Sequence, residues 1–128
     1  MPTSIDAIIA DALEKEIEQS IPSSGDPKTV AFDVDGCLIT FEDQPRRDMI
    51  DTLIFLSTVG CEITVWSGGG KEYADVWVRR LFLQRHVTHV MEKPIHRAKE
   101  GEGPFVDLSF DDEVVTFGKV NIRVPCLP

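Results

Sequence analysis

A handful of side chains stand out for what they could do if they met. Asp33 and Asp35 lie two residues apart in Asp33-Val34-Asp35-Gly36. Ser67 precedes Gly68, Gly69 and Gly70; Lys93 stands before Pro94; and Asp111 and Asp112 form an adjacent acidic pair. Crowded carboxylates repel one another, and a hard divalent cation relieves that repulsion. Ligands that are all oxygen favour Mg²⁺ over zinc. Ser67, the backbone N–H groups of Gly68 to Gly70 and Lys93 are donors that, at a helix N-terminus, would hold a phosphate. A cation and a phosphate at one point suggest phosphoryl transfer, because phosphate approaches carboxylate only where their charge is neutralised.

That chemistry requires all these groups at one edge of the protein. The apolar run at 29–32 stops at Asp33, as a buried parallel strand entering a loop does. A second strand over 61–66 ends at Ser67, a third over 87–91 precedes Lys93, and a fourth over 105–110 ends at Asp111. Between them the spacing predicts helices over 43–59 and 71–83. The first has Pro45 in its opening turn and Gly60 as its stop; the second has Tyr73, Val76, Trp77 and Leu81 on one side. Strand and helix in alternation predict an α/β fold: a three-layer, Rossmann-like parallel sheet with helices on both faces. Ligands bind such sheets outside the carboxyl ends of the strands, where the polar residues above would gather.

The rest of the chain frames this core. Residues 3–20 read as an amphipathic helix in an N-terminal segment, 1–22, ahead of a core spanning 28–113. The stretch 95–103 is polar and reads as loop or irregular helix. Residues 114–128 are β-rich, with a fifth strand and a hairpin through Gly118. At 128 residues the expectation is one domain, 1–128, against roughly 150 residues per domain.

Composition narrows the function classes. The net charge of −9 repels nucleic acid and anionic lipid at long range, which argues against a general nucleic-acid binder. No apolar run approaches the ~20 residues of a membrane helix, and the start lacks the pattern of a secretory signal, so a cytoplasmic protein with no membrane partner is expected. Cys37, Cys61 and Cys126 form no CxxC pair, which suggests buried thiols rather than a disulfide framework or a zinc site.

Residues 31–38, Ala-Phe-Asp-Val-Asp-Gly-Cys-Leu, resemble the first motif of the haloacid dehalogenase superfamily, a hydrophobic strand followed by Asp-x-Asp-Gly. Thr64-Val65-Trp66-Ser67-Gly68-Gly69 is similar to the second, Lys93-Pro94 to the third, and Phe110-Asp111-Asp112 to the fourth, in family order. The resemblance implies a Mg²⁺-dependent phosphomonoester hydrolase. Asp33 would be the nucleophile that forms an aspartyl-phosphate. Asp35 would protonate the leaving oxygen and then activate water. Mg²⁺ would be held by the Asp33 carboxylate, the Asp35 backbone carbonyl and Asp111, with Asp112 as a direct or water-mediated ligand. Ser67, Gly68 and Lys93 would bind the phosphoryl group. The gaps between motifs leave no room for a cap domain, so the resemblance is to capless members. The expected substrate is a small phosphorylated metabolite or nucleotide; the absent cap weighs against a tightly enclosed metabolite unless a homo-oligomer supplies a lid.

Each feature also has a plainer reading. Asp-x-Asp-Gly alone is often a turn, Ser67 can simply cap a helix, Lys93 competes with Lys71 and Lys99 for the phosphate, and Asp111-Asp112 can be a solvated turn. Cys37 stands where the family usually has Thr. Arg46-Arg47 and Arg79-Arg80 read as solvated helix faces, Trp66 and Trp77 as core, Asp107 as structural, and His86, His89 and His96 as surface residues. A signalling receiver domain has similar parts but places its paired acids first in the chain, not last. A catalytically silent scaffold that binds a phospho-ligand or a protein is the remaining rival.

Overall fold

The computed structural model describes residues 28–94 and 104–125. The helix expected over 3–20, the polar stretch 95–103 with Lys99 and His96, and Cys126 lie outside the described residues. The chain forms β1 (Thr29–Asp33), α1 (Arg47–Thr58), β2 (Glu62–Ser67), α2 (Lys71–Arg80), β3 (His89–Glu92), β4 (Val106–Asp111) and β5 (Gly118–Arg123). The five strands make one sheet in the order β3-β2-β1-β4-β5, and every neighbouring pair is parallel.

Alternation along the strands divides the sheet into two faces. Val30, Phe32, Ile63, Val65, Leu108 and Phe110 share a core with Met49, Ile50, Leu53 and Leu56 of α1 and Ala74, Trp77 and Val78 of α2. Both described helices therefore pack on the same face, as two successive right-handed crossovers in one direction require. Phe32 and Phe110, on adjacent strands, stack at 4.7 Å between ring centroids. On the opposite face Ala31 and Trp66 pack with Val106, Phe117 and Val115. A helix on that second face would have to come from residues outside the described ones.

Both helices end in the same way. Behind α1, Gly60 (φ +100°) sends its N–H to the Ser57 carbonyl at 3.1 Å, and Cys61 N–H reaches the Leu56 carbonyl at 3.0 Å. Behind α2, Phe82 (φ +57°) and Leu83 make the equivalent bonds to Arg79 and Val78. This is the Schellman closure, and it ends α2 at Arg80 rather than at the expected residue 83. The start of α1 also differs from expectation. Pro45 bridges Ile39 in an antiparallel pair, Arg46 N–H bonds the Leu38 carbonyl at 2.9 Å, and the helix begins only at Arg47. Residues 34–45 are thus a folded loop over the end of β1 and not a first helical turn.

The hairpin expected through Gly118 is absent, because β5 runs parallel to β4. Residues 112–117 instead return along β4 to its start, with bends at Asp112, Glu113 and Phe117. Phe117 anchors the return by meeting Trp66 edge-on at 5.5 Å between centroids. Gly118 serves close packing: a Cβ there would lie 2.7 Å from the Val120 carbonyl oxygen and 3.1 Å from the Ser109 nitrogen.

Candidate active site

Parallel strands put all their carboxyl ends at one edge, and β1 lies at the point where the chain order reverses, between β2 and β4. That reversal is where an open α/β sheet forms its binding crevice. The sequence ends β1 with Asp33, β2 with Ser67 and β4 with Asp111, while Lys93 follows β3. A cleft of about 300 Å³ opens there, lined by Asp33, Asp35, Ser67, Lys93, Asp112 and Glu113 among others.

Three acids meet here, Asp33 and Asp112 lining the cleft and Asp111 buried beside them. One carboxylate oxygen from each of Asp33, Asp111 and Asp112 lies within 4.8 Å of the others. Asp111 is fully buried and Asp33 nearly so. Lys93 Nζ sits 2.7 Å from Asp111 Oδ2 and 3.6 Å from Asp33 Oδ1. Its backbone N–H is fastened to the Ser67 carbonyl at 2.9 Å, which ties the end of β3 to that of β2. Lys71, by contrast, is exposed and does not line the cleft.

The electrostatics follow from crowding. Burial first, and then the Asp111 charge, push the Asp33 carboxyl up to about 8, although Lys93 pulls the other way. Burial and a hydrogen bond with Asp111 raise Asp112 as well. Burial opposes the charge on Lys93, but its hydrogen bond to Asp111 and the charges of Asp33 and Asp111 outweigh it and raise the ammonium pKa. Burial drives the Cys37 thiol well above its usual range, with Asp33 and Asp111 adding to the effect. Cys37 is therefore a neutral packing group here, with Sγ 3.7 Å from the Phe110 carbonyl oxygen.

The phosphate-binding expectations share this edge. Ser67 is buried, and its Oγ accepts the Gly69 N–H at 3.0 Å. Gly68 and Gly69 line the cleft. Asp35 also lines it, but its carboxyl group is outside the three-acid cluster. Oδ1 instead accepts a 2.8 Å hydrogen bond from the Tyr73 hydroxyl.

Arg46 departs from its expected place on a solvated face. It is buried beside Asp48, with Nη2 to Oδ2 at 2.7 Å. Its Nη1 donates to the Gly36 carbonyl at 3.3 Å and the Pro125 carbonyl at 2.7 Å. The buried guanidinium thus joins the loop after β1 to the chain beyond β5. Arg47 and Arg79 are exposed as expected. Asp107 is structural: it accepts the Thr29 N–H at 3.1 Å and pairs with Lys119 at 3.2 Å. Sequence reasoning overlooked Phe41 and Glu113 as cleft residues and Tyr73 as the partner of one, Asp35. Tyr73 was visible only as part of a helix face, and Phe41 and Glu113 carry no motif.

The donor set fits a hard divalent cation such as Mg²⁺. One carboxylate oxygen from each of three acids converges, two of the acids are buried, and burial first, with the neighbouring acids adding to it, raises Asp33 and Asp112, a cost of ionisation that a cation would offset. No protein-family model, curated protein or solved structure significantly matches this chain. The fold and site define the protein as an α/β protein with a parallel five-stranded sheet and an acidic cleft at its carboxyl edge. Among the described residues no helix is long and apolar enough to cross a membrane.

Proposed function

We propose that the protein is a Mg²⁺-dependent phosphomonoester hydrolase of the haloacid dehalogenase type, working through an aspartyl-phosphate. The observation that carries this reading is the meeting of Asp33, Asp111 and Asp112 with Lys93 at the carboxyl edge of the sheet. Asp33, Asp111 and Asp112, with the Asp35 backbone carbonyl, would hold Mg²⁺, which when bound neutralises the carboxylates and the phosphate oxygens.

Asp33 must be ionised to attack phosphorus, and in the crowded cluster its proton is held up to about pH 8. A cation held by these acids would supply the positive charge that offsets burial and the Asp111 charge, and Asp33 would then be the nucleophile at neutral pH. Lys93 and Ser67, with the N–H groups of Gly68 and Gly69, receive the phosphoryl oxygens. Asp35 gives its proton to the leaving oxygen and later removes one from the attacking water. The described chain between Asp35 and Ser67 holds a loop, α1 and β2, which supports an open, capless site. A small phosphorylated metabolite or nucleotide is the substrate class, and a second copy of the chain would supply a lid.

The test is hydrolysis of p-nitrophenyl phosphate with and without Mg²⁺. Turnover that requires Mg²⁺ and vanishes in Asp33→Asn supports the reading. Wild-type turnover that survives Asp33→Asn refutes the aspartyl-phosphate route.

A further inference from the structure

We propose that Tyr73 is a positioning residue that holds Asp35 in the geometry for proton delivery to the leaving oxygen. The inference rests on the phosphatase reading and adds a residue that none of the motifs contains.

Tyr73 is the third residue of α2. The helix starts directly behind the Ser67–Gly70 turn, so the ring lies against that turn. A Cβ on Gly69 would meet Tyr73 Cδ1 at 3.2 Å and Ser67 Oγ at 3.4 Å. From this seat the phenol reaches across from the β2 side of the cleft to the β1 side and donates to Asp35 Oδ1 at 2.8 Å. The Asp35 backbone is held separately. Asp35 bridges Ile39, and the next residue, Gly36, sends its N–H to the Ile39 carbonyl at 2.8 Å. Main chain and side chain are thus restrained by different elements, which is what a donor needs to keep one orientation toward a substrate atom.

The division of labour follows from the chemistry. A phenol that donates to Oδ1 leaves Oδ2 as the oxygen that carries the transferable proton. As Asp33 forms its bond to phosphorus, the P–O bond to the alcohol breaks, and the Oδ2 proton passes to the departing oxygen. Water then attacks phosphorus and yields its proton to the Asp35 carboxylate; the Asp33–phosphorus bond breaks, and inorganic phosphate departs.

Tyr73→Phe retains the ring and removes the hydroxyl. It should be assayed with Mg²⁺ on phenyl phosphate, a poor leaving group, and on 2,4-dinitrophenyl phosphate, which needs no proton. We expect kcat to fall about tenfold or more on phenyl phosphate and by less than about twofold on the dinitrophenyl ester, with KM little changed. In an Asp35→Asn background, Tyr73→Phe should have no further effect. Equal losses on both esters, no loss on phenyl phosphate, or an undiminished effect in the Asp35→Asn background would each overturn the proposal. Asp33→Asn, run in parallel, separates the two failures. If it leaves turnover intact, the aspartyl-phosphate reading falls and the role of Tyr73 with it. If it abolishes turnover while Tyr73→Phe acts equally on both esters, the positioning role alone falls.

Discussion

The Asp112 carboxyl group fills the space that a side chain at Gly36 would need. A Cβ on Gly36 would stand 2.7 Å from Asp112 Cγ and Oδ2 and 2.9 Å from its Cβ. Gly36 also has φ +78°, a conformation that costs an L-residue about 1–2 kcal/mol. Glycine is thus required twice, once by the local backbone and once because the loop after β1 meets the loop after β4.

Gly36→Ala should therefore destabilise the protein by about 2–4 kcal/mol, the backbone penalty plus an overpacking term. Urea unfolding measures that loss. Displacement of Asp112 should also weaken Mg²⁺ binding, read by calorimetry.

Asp33 makes the stability of the metal-free protein depend on pH. Its carboxyl lies at about 8 in the folded state, against about 3.9 in an unfolded chain. Between those values the folded protein holds a proton that the unfolded chain has released, so stability falls as pH rises through that window. Asp112 is shifted in the same direction. Thermal unfolding without metal should give a lower Tm at pH 8 than at pH 5.5. Added Mg²⁺ should raise Tm more at pH 8, and Asp33→Asn should flatten the slope.

Lys93 and Lys71 should separate cleanly. Lys93→Met removes the cation nearest Asp33 and Asp111, and kcat/KM should drop by about 100-fold or more, as when one preorganised charge-stabilising group is lost. Lys71→Met, at an exposed position outside the cleft, should stay within about threefold of wild type. Steady-state kinetics on an aryl phosphate distinguish the two.

Arg46→Ala leaves Asp48 buried without its partner and should cost about 3–5 kcal/mol. Replacing both residues, as Arg46→Met with Asp48→Leu, should cost less than the single change, because no uncompensated charge remains. Denaturant unfolding of the two variants tests the ordering.

Much of the site was legible because buried parallel strands announce themselves. An apolar run that stops at Asp33, at Ser67 or at Asp111 marks the strand end and its polar residue together, and parallel strands bring those ends to one edge. The types of those polar groups, carboxylates for a cation beside hydroxyl, N–H and lysine donors for a phosphate, then suggested phosphoryl transfer without any knowledge of distances. Gly60 likewise marked the end of α1, because only a few residues tolerate the left-handed closing position.

Other features depended on the fold in three dimensions. Arg46 reads as one of two adjacent surface arginines until the loop after β1 and the chain beyond β5 close over it. Tyr73 reads as part of an apolar helix stripe until the start of α2 comes beside the loop after β1 and its hydroxyl finds Asp35. The direction of β5 turned on whether Phe117 would pack against Trp66, a choice that a β-rich stretch with a central glycine leaves open. The physical reason is common to all three. Periodicity and strand ends report how each segment divides its residues between interior and solvent, whereas the partner of a buried polar group is chosen by strand order and register between segments far apart in the chain.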